Sequence, residues 1–226
     1  MRDIVLSIVV PVLNEATRIA NALALLAPLR MRGVEVLVVD GGSTDATVAL
    51  ATPGADAVIA SPSGRARQMN AGAARARGEI LLFLHADTQL PSLADQTVMN
   101  ALAQGARWGR FDVQISGAPP MLRVVARLMN LRSRWSGIAT GDQAIFVSRA
   151  LFDAVGGFPD QALMEDIEIS RRLRAVAAPV CLRAQVRTSG RRWETRGVWT
   201  TIFLMWRLRW RYWRGESAAS LAEAYR

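Results

Sequence analysis

Lysine is absent from the 226 residues, and cysteine and histidine occur once each. Compositional bias is the plainest reason for the missing lysine, but it leaves every basic contact to arginine. The planar guanidinium of arginine binds oxyanions in a two-pronged geometry. A single cysteine, Cys181, excludes an internal disulfide framework and favours a reducing compartment. We therefore expect a cytoplasmic protein that contacts anions through guanidinium groups.

Long hydrophobic runs are also missing. The apolar runs stay well below the roughly 18 residues that mark a membrane-spanning helix. No small-residue cleavage site follows the apolar run near the N-terminus, so a signal peptide is not expected. Apolar residues make up 51% of the chain, which argues against disorder. The length suits one large domain, or one domain with an appendage.

Positive charge is concentrated near the C-terminus. Residues 1–182 carry 18 arginines and 16 acids, whereas residues 183–226 carry 10 arginines and 3 acids. We predict a main domain over residues 1–182 and a basic, Trp- and Arg-rich helical extension over residues 183–226.

Short apolar runs alternate with helical patterns in the first half of the chain. The run Ile80 to Leu84 has no polar alternation, which is typical of a strand buried on both faces of a parallel sheet. Similar runs cover Ile4 to Val10, Val34 to Val39 and Ala57 to Ala60, with helical segments between them. This order predicts an α/β fold with a mostly parallel central sheet flanked by helices.

Three acids follow the ends of these strands. They are Glu15, Asp40 and Asp87, and the carboxyl ends of parallel strands lie along one edge of a sheet. Each alone is compatible with a helix cap or a turn residue. Together they favour a shared ligand site. A glycine-rich dinucleotide fingerprint and a P-loop are both missing, so a bound nucleotide would meet carboxylates and a metal.

Several motifs together resemble a known family. The segments PVLNEA (11–16), VVDGGSTD (38–45), GRARQMNAGAARARG (64–78) and FLHADTQLP (83–91) are similar to the nucleotide-sugar half of family 2 glycosyltransferases. Residues 140–173 resemble the acceptor half of that family. The resemblance implies the GT-A fold, with a Rossmann-like nucleotide-sugar half over about 1–116 and an acceptor half over 117–182. Within the tail, residues 189–197 and 212–226 resemble small bacterial glycosyltransferases assigned to arsenosugar biosynthesis.

The resemblance implies an inverting hexosyltransferase with a nucleoside-diphosphate-sugar donor, most simply a UDP-sugar. Asp40 would contact uracil or its equivalent, and Arg65 and Arg67 would lie near the base or the diphosphate. The implied donor-binding residues are Pro11, Asn14, Glu15, Asp40, Gly42, Arg65 and Arg67.

A divalent Mg²⁺ or Mn²⁺ ion is implied by the same family. Asp87 would be the surviving metal ligand of the family's Asp-x-Asp motif, in which His85 replaces the first aspartate. Hard cations prefer oxygen ligands, so we interpret His85 as a residue that orients Asp87. The alternatives are direct ligation and a plain bond from His85 to the backbone.

The carboxylates of Glu165 and Asp166 form the second chemical centre. Inverting transfer needs one carboxylate to take the acceptor's proton, and the resemblance gives that role to Asp166, with Glu165 orienting the acceptor. Their alternative role is to complement a helix dipole. The residues implied to contact the acceptor or the diphosphate are Gly141, Asp142, Gln143, Arg192 and Trp193. For Arg192 and Trp193 the alternative is a structural cation–π pair.

Two helical patterns bear on partners. On the predicted helix after Pro120, Arg123, Arg127, Arg132 and Arg134 are interpreted as a solvated face, with an acceptor lid as the minority interpretation. From 198 to 213 an aromatic stripe is expected to pack on the core or in a homodimer. Contact with the inner face of the cell membrane is its alternative, because Trp and Arg favour that interface. The acceptor would be a small molecule or lipid-linked.

Two other classes remain as alternatives to the glycosyltransferase. A nucleotidyltransferase would show a glycine-rich basic loop after the first strand, where Leu13-Asn14-Glu15 stands. A basic module that binds nucleic acid or a membrane is suggested by the tail alone. Nucleic acid is not expected as a partner, because the predicted strands carry no aromatic and basic stripe.

Overall fold

The computed structural model describes residues 4–225. Its strands are β1 Leu6–Val12, β2 Glu35–Asp40, β3 Ala57–Ala60, β4 Ile80–Phe83, β5 Thr88–Gln89, β6 Trp108–Ser116, β7 Phe146–Ser148 and β8 Val180–Ser189. Its α-helices are α1 Ile19–Met31, α2 Thr47–Ala51, α3 Arg65–Arg75, α4 Ala94–Ala103, α5 Met121–Ser136, α6 Arg149–Ala154, α7 Glu165–Val176, α8 Arg191–Arg196, α9 Val198–Trp213 and α10 Ala218–Tyr225. Single 3₁₀ turns lie at Thr52–Gly54 and Gly141–Gln143.

All these strands form one mixed sheet in the order β3-β2-β1-β4-β7-β6-β8-β5. Strands β3, β2, β1 and β4 pair in parallel, which confirms the predicted arrangement for the first half of the chain. Beyond β4 the sheet is mixed. Strand β7 is antiparallel to both β4 and β6, while β8 is parallel to β6 and antiparallel to β5.

The central strands are buried on both faces. Along β4, Leu82 packs in one apolar cluster, and Leu81 and Phe83 pack in another on the opposite face. Along β1, Ile8 and Val9 divide between the same two clusters. Side chains alternate across a strand, so a continuous apolar run supplies both faces. Helices on the two sides complete a three-layer α/β structure.

Strand β1 continues two residues past its predicted end and includes Pro11. Its pairing with β4 stops at Val9 and Phe83, whereas its pairing with β2 continues to Val12 and Asp40. Proline has no N–H to donate to a ladder. Pro11 is tolerated because the neighbour on its β4 side has already diverged.

Strand β8 lies where no strand was predicted. It crosses the predicted boundary between residues 182 and 183 and pairs with β6 over most of its length. Val186 and Thr188 are buried and alternate with the exposed Arg187. This period of two was the signal in the sequence that could have revealed it.

Helix α9 presents an aromatic face to solvent. Leu208 is buried and packs with Met164 and Leu221, whereas Trp206 is 67% exposed and Trp213 is 81% exposed. The expectation that the stripe packs on the core is wrong within the described chain for its aromatic members: Trp199, Phe203, Trp206, Trp210 and Trp213 are all exposed. None of the helices in residues 4–225 has the length and apolarity needed to cross a bilayer.

Candidate active site

The predicted acids follow three neighbouring parallel strands. In the sheet order β2-β1-β4, Asp40 ends β2, Glu15 follows β1 and Asp87 follows β4. The three acids therefore lie along one edge of the sheet, and their shared ligand site stays a prediction. At this edge the polar side chains form two groups, one in the β1 and β2 loops and one around α7.

The first group joins the β1 loop to the β2 loop. Asn14, with a φ of 53°, donates its backbone N–H to the Ser43 hydroxyl, 2.9 Å away. The side chain of Asn14 accepts from Thr44 N–H at 2.9 Å. The Glu15 N–H donates to the hydroxyl of Thr47 at 2.8 Å, and the Glu15 carboxylate pairs with Arg18 at 2.9 Å. These contacts hold the two loops together.

Asp40 shapes the second of these loops. Its carboxylate is buried and accepts from Gly42 N–H at 3.0 Å, from Ser43 N–H at 3.0 Å and from the Ser43 hydroxyl at 2.5 Å. Gly42 has a φ of 93°, a conformation that favours glycine. Asp40 is therefore held rigidly at the end of β2.

Gln68 on α3 is a structural residue that the sequence reasoning missed. Its buried amide nitrogen donates to the carbonyls of Val12 and Val39, each at 2.8 Å. A Cβ on Gly41 would lie 3.0 Å from the Gln68 amide. Gln68 therefore adds a side-chain link between the last paired residues of β1 and β2. Its place on a polar helix gave no sign of this.

The second group surrounds the start of α7. Met164 precedes the helix with a φ of 66°, and Glu165 begins it. Glu165 is buried and pairs with Arg65, whose Nη1 lies 3.0 Å from Glu165 Oε1. Burial acts to lower the pKa of Arg65. The negative charges of Glu165, Asp166 and Asp142 outweigh burial, so the pKa of Arg65 is raised. The sequence placed Glu165 and Arg65 in different subsites, and the structure joins them.

Asp166 has the chemistry of a base. Its carboxylate accepts from Gly141 N–H at 3.0 Å and from Ile167 N–H at 2.8 Å. Burial and then the neighbouring Glu165 charge raise the pKa of Asp166 to about 6, against the opposing effects of these N–H groups and Arg65. A carboxylate with that pKa is mostly ionised at neutral pH yet binds a proton more readily than an ordinary aspartate.

Gly141 brings His85 and Asp166 close together. A Cβ at position 141 would overlap the His85 ring, so only glycine fits between the ring and the Asp166 carboxylate. His85 Nδ1 lies 3.5 Å from Asp142 Oδ1. Burial acts to raise the pKa of Asp142. The hydrogen bond and charge of His85, together with the charges of Arg65 and Arg192, outweigh burial, so the pKa of Asp142 is lowered. The carboxylate recorded beside His85 is thus Asp142, whereas the sequence interpretation paired the histidine with Asp87.

Arg192 lies at the other end of this group. Burial and the charges of Arg196 and Arg65 lower its pKa, while Asp142 and Asp87 oppose that shift. Its guanidinium carbon stands 4.2 Å from the centre of the Tyr225 ring. Trp193 is partly buried against the main apolar cluster. The cation–π partner of Arg192 is therefore Tyr225.

Two further predicted residues face other surroundings. Gln143 is fully buried, where its Oε1 accepts from Thr140 N–H at 3.1 Å. Arg67 pairs at 2.8 Å with Asp160, and both side chains are more than half exposed. Gln143 thus shapes the turn that presents Gly141, and Arg67 is engaged at the surface.

The predicted metal ligand, Asp87, is not part of a cluster of ligating side chains in the described residues. Within residues 4–225 no three His, Cys, Asp or Glu side chains are grouped so that they could hold a metal ion. Asp87 is exposed, and in the part of the chain that the structure describes its one side-chain hydrogen bond is the 3.4 Å contact from the Thr88 hydroxyl. Mg²⁺ commonly binds through one or two carboxylates together with substrate phosphates. Asp87 fits that pattern.

Known proteins share this fold. The profile of the family described as glycosyl transferase family 2 matches residues 7–146. "Probable glycosyltransferase YdaM" of Bacillus subtilis (strain 168) is 26% identical over 238 residues, which cover 92% of this chain and 54% of YdaM. The chain thus spans about half the length of this curated relative.

Solved structures agree on the architecture. Residues 1–349 of S. aureus TarS match with a TM-score of 0.65 and 18% identity, over 83% of this chain and 61% of that one. The mannosyltransferase PcManGT from Pyrobaculum calidifontis, in complex with GDP-Man and Mn²⁺, matches with a TM-score of 0.62 and 22% identity. That match covers 90% of this chain and 60% of PcManGT. The predicted GT-A-type α/β fold is confirmed, and because the family profile matches more than half of its residues, the chain belongs to glycosyl transferase family 2.

Proposed function

We propose that this family member is an inverting, metal-dependent hexosyltransferase that moves a sugar from a UDP-sugar to an acceptor hydroxyl, with Asp166 as the general base. The proposal rests on one observation, the Asp166 carboxylate with its pKa raised to about 6 beside the buried Glu165. Among the alternatives considered from the sequence, family membership selects the glycosyltransferase over the nucleotidyltransferase and the binding modules.

Asp166 is held ready to accept a proton. The N–H groups of Gly141 and Ile167 fix the orientation of its carboxylate, and each oxygen keeps further lone pairs for the acceptor hydroxyl. As the acceptor oxygen bonds to the anomeric carbon, its proton passes to Asp166. The bond from that carbon to the diphosphate oxygen breaks on the opposite side, which inverts the configuration.

Arginines offset the charge of the leaving diphosphate. Arg65 and Arg192 both lie within electrostatic range of Asp142, and Arg192 also within range of Asp87. A Mg²⁺ or Mn²⁺ ion held by Asp87 would, when bound, neutralise negative charge on the leaving nucleoside diphosphate. Glu165 holds Arg65 in place through their 3.0 Å ion pair. No general acid is required.

The joined β1 and β2 loops are proposed to bind the nucleoside. Asp40, fixed by Gly42 and Ser43, would accept a hydrogen bond from uracil, while Pro11, Asn14 and Glu15 line the ribose side. TarS has been solved in complex with UDP and with UDP-GlcNAc, which supports a uridine donor for a chain of this fold. A thermal-shift panel of nucleoside diphosphates with Mn²⁺ tests the base. Stabilisation by GDP and not by UDP would contradict this part of the proposal.

Replacement of the base tests the mechanism. Asp166→Asn is expected to keep UDP-dependent stabilisation and to lose transfer, whereas the exposed Asp153→Asn is expected to keep both. If Asp166→Asn retains turnover within about tenfold, a barrier change near 1.4 kcal/mol, Asp166 is not the base.

The subfamily is a finer proposal. The resemblance of residues 189–197 and 212–226 to the arsenosugar-biosynthesis glycosyltransferases supports placing the chain among them. Incubation of the enzyme and a UDP-sugar panel with arsenic-bearing hydroxyl compounds, followed by arsenic-specific mass spectrometry, tests this placement. Failure with every such compound, alongside transfer to an arsenic-free acceptor, would contradict it.

The exposed stripe of α9 is proposed to contact the inner face of the cell membrane, with the rest of the protein in the cytoplasm. Five aromatic side chains on one face are 56% to 81% exposed. The surrounding residues 183–226 carry 10 arginines against 3 acids. Two copies joined through this face would bring like charges together, whereas an anionic bilayer complements them and accepts tryptophan at its surface.

Vesicle sedimentation distinguishes these partners. The wild-type protein is expected to sediment with anionic vesicles at low salt and to do so less at high salt. Replacement of Trp206, Trp210 and Trp213 by Ser is expected to abolish sedimentation while preserving UDP-dependent stabilisation. A wild-type homodimer that the triple variant converts to monomer, without vesicle binding, would overturn the membrane assignment.

A further inference from the structure

Four buried side-chain atoms in residues 4–225 lack a hydrogen-bond partner, and they lie on only three residues. They are Arg110 Nε, Arg132 Nε and Nη2, and Ser133 Oγ. Arg110 is on β6, and the other two are near the end of α5, which packs on β6. Buried polar groups are almost always satisfied in folded proteins. Such a concentration of orphaned donors indicates a missing hydrogen-bonding partner.

The acid available here is already used. Asp112 pairs with Arg110 and also, at 2.5 Å, with Arg134. Arg110 is fully buried and additionally donates to the carbonyl of Asn130 at 3.1 Å. Arg132 takes part in no ion pair within residues 4–225. Asp112 thus pairs with two guanidinium groups, and neither of these ion pairs includes Arg132.

Arg132 is half-buried and lies within electrostatic range of Asp166. Burial lowers its pKa most, the Asp166 charge raises it, and Arg110 lowers it further, so Arg132 lies within electrostatic range of both. Asp166 is the proposed base, and α5 begins the half of the chain that the sequence assigns to the acceptor. The interpretation of Arg132 as part of a solvated face is therefore wrong, because its Nε and Nη2 are buried.

We infer that Arg132 binds an oxyanion carried by the acceptor, so that the acceptor is a hydroxylated carboxylate or a phosphorylated hydroxyl compound. This inference rests on the proposed function. A guanidinium binds a carboxylate or phosphate through two parallel N–H bonds, and such a contact would satisfy Nε and Nη2 of Arg132. The acceptor's anion on Arg132 then holds its hydroxyl group toward Asp166.

The test uses the full-length protein saturated with UDP and Mn²⁺, so that added anions cannot occupy the diphosphate site. Inorganic phosphate and acetate are titrated in separate arms, and thermal stabilisation is followed. The variants are Arg132→Gln, Arg132→Lys and, as a matched control, Arg123→Gln, which changes an exposed arginine of the same helix.

We expect one of the two anions to stabilise the wild-type protein and Arg123→Gln at the same concentrations. Arg132→Gln should lose that response at least tenfold, with Arg132→Lys intermediate because it keeps the charge and loses the fork. Equal responses from wild-type and Arg132→Gln, or no response from wild-type to either anion, would overturn the inference. Should Arg132→Gln not fold, the comparison of Arg132→Lys with Arg123→Gln decides.

Failure of the proposed function gives a different pattern. In Asp166→Asn the anion response is expected to persist while transfer is lost. If Asp166→Asn transfers normally and the anion response still depends on Arg132, the base assignment fails and the anion site stands. A second measurement compares transfer to matched acceptors with and without an anionic group, such as glycerol phosphate and glycerol. Arg132→Gln is expected to raise KM for the charged acceptor only.

Discussion

Asp166→Asn is expected to make the protein more stable at neutral pH while abolishing transfer. The pKa of Asp166 is raised from its ordinary value of 3.8 to about 6, chiefly by burial and by the charge of Glu165. A difference of that size corresponds to about 3 kcal/mol at 1.36 kcal/mol for each pH unit.

The direction follows from proton binding. Between pH 3.8 and about 6 the folded protein holds a proton on Asp166 that the unfolded chain has released. Stability is therefore lost as the pH rises through this window, and the whole penalty is present above it. Asparagine cannot ionise, so the variant escapes this pH-dependent penalty. Its one amide oxygen can accept from only one of the N–H groups of Gly141 and Ile167, and that loss is the same at every pH.

Urea unfolding at pH 4 and at pH 8 measures the effect. The variant should gain on the wild type by about 2 kcal/mol more at pH 8 than at pH 4, because little of the penalty exists at the lower pH. Asp153→Asn controls for the loss of one acidic group. A difference between variant and wild type that is the same at both pH values would refute the reasoning.

Three other changes test separate parts of the structure. Transfer measured as kcat/KM should rise about tenfold per pH unit below pH 6 and level off above it. Arg65→Gln should move that rise to higher pH, because Arg65 lowers the pKa of Asp166. A pH-independent kcat/KM below pH 6 would contradict this. Gln68→Leu removes the hydrogen bonds to the carbonyls of Val12 and Val39, although Val12 still accepts from Gly41 N–H. The loss should cost about 1–3 kcal/mol in urea unfolding and weaken UDP binding. A loss below about 0.5 kcal/mol would show that Gln68 does not fasten the strands. Leu208→Ala, at a fully buried site in the cluster with Met164, should lower the free energy of unfolding by about 2–5 kcal/mol and slow transfer. The exposed Leu131→Ala should do neither. An unchanged rate in Leu208→Ala would show that packing of α9 does not affect the proposed base.

The first half of the fold is readable from the sequence because each buried strand is a continuous apolar run. Ile80 to Leu84 shows this, and the strand is found at Ile80–Phe83. Strand β8 was missed because its pairing with β6 is non-local, and only the short alternation around Arg187 marks it in the sequence. Burial of a strand by a distant partner overrides local composition.

For the candidate site, the sequence identifies polar residues at strand ends but cannot supply their partners. Asp40 and Asp166 were chosen by position and by resemblance, and their roles remain proposals. The Arg65–Glu165 pair joins residues 100 positions apart. Position 141 needs glycine because the His85 ring, from another loop, lies where a Cβ would be. Such contacts depend on tertiary packing. The sequence interpretation placed Arg132 on a solvated face, because helix periodicity alone does not show that its Nε and Nη2 are buried.

The apolar cluster of Leu208 and Met164 links the C-terminal segment to the residue just before Glu165 and the proposed base. Met164 sits in a left-handed conformation immediately before Glu165, and its apolar cover comes from α9 and from Leu221 of α10. A shortened protein ending before α9 would keep every acid of the proposed chemistry and yet leave that bend without support. Loss of activity on removal of α9 and α10 would therefore indicate a less ordered bend before Glu165 and Asp166. It would not require that the substrate contacts the removed residues.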